Sequence, residues 1–174
     1  MIQPTFSSSR LLLPARPLFV FITLMIAYAV NLFPNGPLPW VPDWLSIVLA
    51  FWSVRESRKV GMGTAFIFGI AMDVGQGSLM GQHALAYVLI AYLASSLSRR
   101  ILWFPIIEQA LHLLPIFILA QVVQLGVRMI GGAEFPGFSF FLAPLIAGAL
   151  WLPATYMLLL PQFRPVDRDE NRPI

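Results

Sequence analysis

Apolar runs recur along this chain from residue 18 to residue 160, and every break between them is short. That pattern constrains the fold more than any single motif does. A backbone in hydrocarbon must satisfy its N–H and C=O groups internally, so such runs fold as helices stacked across a bilayer. Composition agrees: 58% of the 174 residues are apolar and 11% are charged, against about 25% charged in soluble domains. No stretch is left for a separate soluble domain, which starts at about 50 residues. The sequence reads as an all-α, polytopic membrane helical bundle forming one membrane domain.

The basic residues set its orientation. A pI near 9.8 would suggest nucleic acid in a soluble protein, but here the arginines and Lys59 sit in the connections between apolar runs, which is an orientation signal. The runs predict six spans, at about 18–33, 40–54, 60–74, 82–97, 102–128 and 138–160, between a leader (1–17) and a polar tail (161–174). With the leader in the cytoplasm, Arg10, Arg16, Arg55, Arg58, Lys59, Arg99, Arg100, Arg164, Arg168 and Arg172 fall on one side and only Arg128 on the other. An odd number of spans breaks that partition, so both termini are expected to be cytoplasmic. The first span lacks a small-x-small cleavage pattern and is expected to stay uncleaved.

The second span is short. Asp43 stands in an N-cap position before Trp44 to Val54, a segment of about 16 Å as a helix, or roughly half of a 30 Å hydrocarbon core. It needs its flanks through Pro39 and Pro42, with Trp40 and Trp44 anchoring one interface and Trp52 the other. The first span ends in a turn cluster from Pro34 to Pro37.

Against this hydrocarbon background the stretch Phe68 to His83 stands out, with Asp73, His83 and a row of glycines. A carboxylate at the centre of a bilayer costs about 2.5–3.5 kcal/mol on translocon-derived scales. Ala65, Gly69 and Asp73 share one helical ridge whose small residues let a neighbouring helix approach. Gly75 and Gly77 predict that the helix ends or unwinds just after Asp73. At 1.5 Å per residue from Val60, Asp73 lies about 20 Å into the membrane, in the outer half. Arg128 falls at matching depth, which predicts an Asp73–Arg128 ion pair. Two other roles stay open for Asp73: a helix-end residue reaching interfacial water, or direct contact with a substrate or proton. His83 can hydrogen-bond to Asp73 or to the glycine-rich backbone, a structural donor before it is a ligand.

In the fifth span Glu108 and His112 share one face, and Gln121, Gln124 and Arg128 another. A Glu-x-x-x-His pair alone does not make a metal site, which needs three or more ligands. The bland reading turns these groups toward other helices or a partner subunit, away from lipid. No nucleophile elbow, zinc-binding His-Glu-x-x-His or phosphate-cradling loop occurs, and no second aspartate lies within a span to pair with Asp73. The chain has no cysteine, which removes disulfides and thiolate chemistry. These observations point to a protein that is not an enzyme and call for no cofactor or metal. A transporter subunit is the harder class to exclude, because broken helices near Gly75 and Gly77 resemble substrate sites, although no inverted repeat is visible.

The Pro42-Asp43-Trp44 entry, the basic break from Arg55 to Lys59, Gly69 four residues before Asp73, Gly81 three before Ala84, and the six-span layout together resemble the MreD family of bacterial rod shape-determining proteins. The likeness runs from about Leu18 to Leu160, carried chiefly by Gly69, Asp73 and Gly81. It implies a multi-pass inner-membrane component of the elongation machinery that makes lateral-wall peptidoglycan. The implied partners are a bitopic MreC-like protein, and less directly MreB, RodA and a penicillin-binding protein, within membrane lipid and without nucleic acid. It also implies the fold of the substrate-binding subunits of energy-coupling-factor transporters. That fold gives the competing function its content: a small-molecule or lipid-binding transporter subunit with an outward-facing pocket near Asp73, His83 and the fifth span. No catalytic residues carry over.

Overall fold

The computed structural model describes residues 15–33 and 41–162. Seven α-helices follow in order: α1 Pro17–Leu32, α2 Trp44–Arg55, α3 Met62–Gln76, α4 Gln82–Ser96, α5 Ser98–Trp103, α6 Ile106–Ile130 and α7 Leu142–Leu159. Short 3-10 turns, Phe138–Phe141 and Leu160–Gln162, flank α7. The leader up to residue 14, the turn from Pro34 to Pro37, the anchor Trp40 and the tail from residue 163 lie outside the described residues.

The shortest of the expected spans forms the centre. α2 is apolar on all sides, and Leu45, Leu49, Ala50, Phe51 and Trp52 are fully enclosed, as a helix surrounded by others must be. α1, α4, α5 and α7 pack around it. Its start follows from Asp43, whose carboxylate accepts the Ser46 N–H at 3.1 Å as a side-chain N-cap. Residues 41–43 are not helical, so Pro42 precedes the helix and does not lie within it. Trp52 is not an interface anchor. It is fully buried, with its ring edge-on to Phe19 and Phe51 and its indole N–H donating to Thr23 Oγ1 at 2.9 Å, so it ties α2 to α1.

Helix boundaries depart from the apolar runs where proline and glycine intervene. Pro17 belongs to α1 as its first residue, where a missing N–H is harmless. α3 continues through Gly75 to Gln76 and stops at Gly77, which adopts φ 63°. Pro105 holds an extended conformation ahead of α6, so the stretch expected as one span from 102 is split. Arg99 and Arg100 sit on the separate short helix α5, which buries Ile101 and leaves Trp103 91% exposed. α6 and the segment Phe138–Gln162 are each long and apolar enough to cross a membrane. Large apolar side chains cover the outer surface, among them Leu18, Ile67, Ile107, Leu111 and Met157, which suits a bundle solvated by lipid.

The two ends of the bundle differ in chemistry. At one end Lys59 pairs with Glu56 at 3.2 Å. The same two side chains hold both backbone groups of Ala15: the Lys59 ammonium donates to its carbonyl at 2.6 Å, and its N–H donates to Glu56 Oε1 at 3.2 Å. The other end collects the buried polar side chains Asn31, Asp73, Gln82, His83 and Gln124.

Candidate functional site

The polar end is built on the α3–α4 hairpin, where α4 approaches α3 so closely that the ridge must be glycine. A Cβ placed on Gly69 would lie 2.3 Å from Ala84 Cα and 2.7 Å from Ala84 N. Ala65 and Asp73, one turn to either side, are fully buried on the same ridge.

Asp73 emerges at the end of that ridge directly beneath the first turn of α4. Gly81 is the N-cap of α4 and adopts φ 98°, a conformation glycine reaches without steric penalty. It has no side chain to satisfy the free N–H groups of the helix start. Asp73 does this from the preceding helix. Its Oδ2 accepts from Gly81 N at 2.8 Å and, at 3.4 Å, from Ala84 N, while Oδ1 accepts from His83 N at 2.8 Å. The negative charge thus sits at the positive end of the α4 dipole. Ser78 Oγ adds a bond to Oδ1 at 2.9 Å, and the Ser78 N–H returns to the Asp73 carbonyl at 2.9 Å. His83 completes the arrangement with Nδ1 2.8 Å from Oδ1. A carboxylate can only accept, so Nδ1 carries the proton in that bond. The His83 ring lies edge-on to Tyr87, with centroids 5.8 Å apart.

The expected Asp73–Arg128 ion pair is not formed. Asp73 is fully buried and ligated within its own hairpin, and Arg128, partly exposed near the end of α6, meets no carboxylate within salt-bridge distance among the described residues. Nor does Asp73 reach interfacial water.

The remaining candidates occupy other places. Gln121 donates to the Phe140 carbonyl at 3.2 Å, tying α6 to the turn before α7. Gln124 is 7% exposed and lines a small cavity with Gln121, Asp43 and Ser46. Glu108 borders an open apolar groove of about 320 Å³ between α6 and α7, whose floor includes Gly148. His112 stacks on Phe104 with centroids 4.6 Å apart and engages the Glu108 carbonyl, not its carboxylate.

Three participants were not picked out from the sequence. Ser78 supports Asp73, Tyr87 extends the His83 contact, and Asn31 joins the helix ends. Asn31 donates to Asp43 Oδ1, accepts from Trp44 N at 3.0 Å, and takes a longer bond at 3.4 Å from Gln76 Nε2 on its carbonyl. The signals were present in part: Tyr87 follows His83 by one helical turn, and Gly81 marks a helix start without a cap of its own.

Geometry of this kind defines a helical membrane bundle in which a buried carboxylate fastens one helix to the next. The chain belongs to the family described as rod shape-determining protein MreD, whose model matches residues 9–160. Rod shape-determining protein MreD of Haemophilus influenzae is 28% identical over 141 residues, covering 78% of this chain and 84% of that protein. No solved structure matches the chain. The family ties the chain to rod-shape determination and to the membrane.

Proposed function

We propose that the protein is a non-catalytic, six-span subunit of the cell-shape complex in the bacterial inner membrane, with both termini in the cytoplasm. There it supports lateral peptidoglycan synthesis by holding partners such as a bitopic MreC-like protein, and through it MreB, RodA and a penicillin-binding protein. The observation that carries the non-catalytic reading is the ligation of Asp73. Both carboxylate oxygens are occupied by backbone and side-chain donors of the same hairpin, which suits a fastening and leaves Asp73 itself engaged, not free for acid–base work. The basic breaks at 55–59 and 99–100 lie opposite the polar end, which supports the positive-inside orientation. Glu108, beside the α6–α7 groove, is the side chain offered to a partner.

The transporter reading is less well supported. A ligand pocket takes about 300–1,000 Å³ with a few convergent polar groups, whereas the polar cavity beside Gln121 and Gln124 measures about 20 Å³ and the groove of about 320 Å³ between α6 and α7 has Glu108 as its one polar side chain. The test is complementation in a rod-shaped bacterium lacking its own relative of this chain. Expression is expected to restore rod shape and cell width, and pull-down to recover the bitopic partner. Unchanged shape together with failure to capture that partner sinks the proposal; recovery of a vitamin-sized ligand or an ATPase-coupled module favours the transporter.

A further inference from the structure

The groove between α6 and α7 opens on the outside of the bundle, in the half that carries the basic breaks. Ile107, Leu111 and Leu114 on α6 and Leu145, Ala149 and Leu152 on α7 line it. In each set the spacing is four residues and then three, so each helix turns one continuous face toward the groove. It extends along two turns of each helix, about 10 Å. The floor is small: Gly148 is buried there, and a Cβ on it would come within 3.2 Å of Leu114 Cδ1. Small residues of this kind let a neighbouring membrane helix come close. Ile107 and Leu111 are 70% and 68% exposed. Glu108 stands at the mouth, exposed in the first turn of α6, with no basic side chain within salt-bridge distance among the described residues.

The charge at the mouth selects among occupants. Phospholipid tails fill any apolar groove, but Glu108 sets a carboxylate against the anionic headgroups of the cytoplasmic leaflet. The tail of this chain from residue 163 is polar and charged, which does not suit an apolar groove. A transmembrane helix of another protein satisfies both parts of the surface. Its side-chain ridges fill the groove, and the positive-inside rule places Lys or Arg beside the cytoplasmic end of its span, level with Glu108. Resting on the subunit role and the orientation given above, we propose that the α6–α7 groove receives the single transmembrane helix of the bitopic partner, and that Glu108 pairs with a basic residue at the cytoplasmic end of that helix.

The test is photo-cross-linking in cells that co-express the full-length chain with the MreC-like bitopic protein of the same bacterium. A benzophenone amino acid replaces Leu111 or Leu145 in the groove, or Ile26 on the exposed face of α1. Cross-links to the partner are expected from both groove positions and not from Ile26. In pull-downs, Glu108→Lys is expected to lower the recovered partner about tenfold by setting like charges together, and changing the facing basic residue of the partner to Glu is expected to restore it. Ala149→Trp, at an exposed position, is expected to fill the groove and lower recovery while Tm in detergent stays unchanged. Where the wild-type chain recovers the partner, groove positions that cross-link only lipid, or full recovery with Glu108→Lys, overturn the groove and leave the subunit role standing. Failure of the wild-type chain to recover the partner overturns both.

Discussion

At the scale of single residues, Asp73 decides whether the hairpin closes. Removing it leaves N–H groups of Gly81 and His83 unpaired in a buried site, a loss of about 3 kcal/mol or more. Asp73→Ala is expected to lower Tm in detergent by several degrees and to reduce protein level in the membrane. Asp73→Asn keeps one acceptor oxygen but turns an amide toward donors, so it should fall between wild type and Asp73→Ala. Because His83 acts through the same carboxylate, His83→Ala added to Asp73→Ala should cost much less than it does alone. Gly69→Ala places a methyl group inside the α4 backbone and is expected to destabilise by about 1–3 kcal/mol through overpacking, read as a lower unfolding temperature. The importance of Gly69 and Asp73 was readable from their four-residue spacing in an apolar run. The partners of Asp73 were not, since a sequence search for a counter-charge finds Arg128, while the real donors are mostly backbone N–H groups that carry no side-chain signature.

At the scale of elements, the apolar runs located the helices α1, α2, α3, α4, α6 and α7 to within a few residues, because the polar, glycine and proline breaks between the runs are where the helices stop. α5 was missed: Pro105 interrupts an apolar stretch without lowering its hydropathy, and only its extended backbone separates α5 from α6. Trp52 was misplaced for a related reason. A helix as short as α2 does not reveal from sequence whether its end lies at an interface or inside a bundle. The indole bond to Thr23 now predicts that Trp52→Phe, which preserves most of the buried area, loosens α1 from α2 by about 1 kcal/mol. Faster proteolysis between residues 33 and 44 in detergent, with the rest of the bundle intact, is the expected readout.

For the molecule as a whole, sidedness is the property most open to direct measurement. The chain contains no cysteine, so a single introduced thiol reports without background. Ser57 and Ala133 are both exposed and lie in connections at opposite ends of the bundle. In intact spheroplasts, Ala133→Cys is expected to react with a membrane-impermeant maleimide, and Ser57→Cys only after the membrane is opened. The reverse result contradicts cytoplasmic termini, and labelling of both sites from outside contradicts six crossings.

The ligation of Asp73 also bears on how the chain is made. All its partners lie within eleven residues downstream, ending at Ala84, so the carboxylate can be satisfied as soon as the first turn of α4 has left the ribosome. A charged group that is awkward for the insertion machinery when it arrives alone can then pass into the bilayer as part of a closed helical hairpin, before α6 and α7 have been synthesised. Variants that weaken this closure should be caught by membrane proteases during synthesis, so a pulse-chase is expected to show Asp73→Ala lost within minutes of labelling while wild-type chains persist.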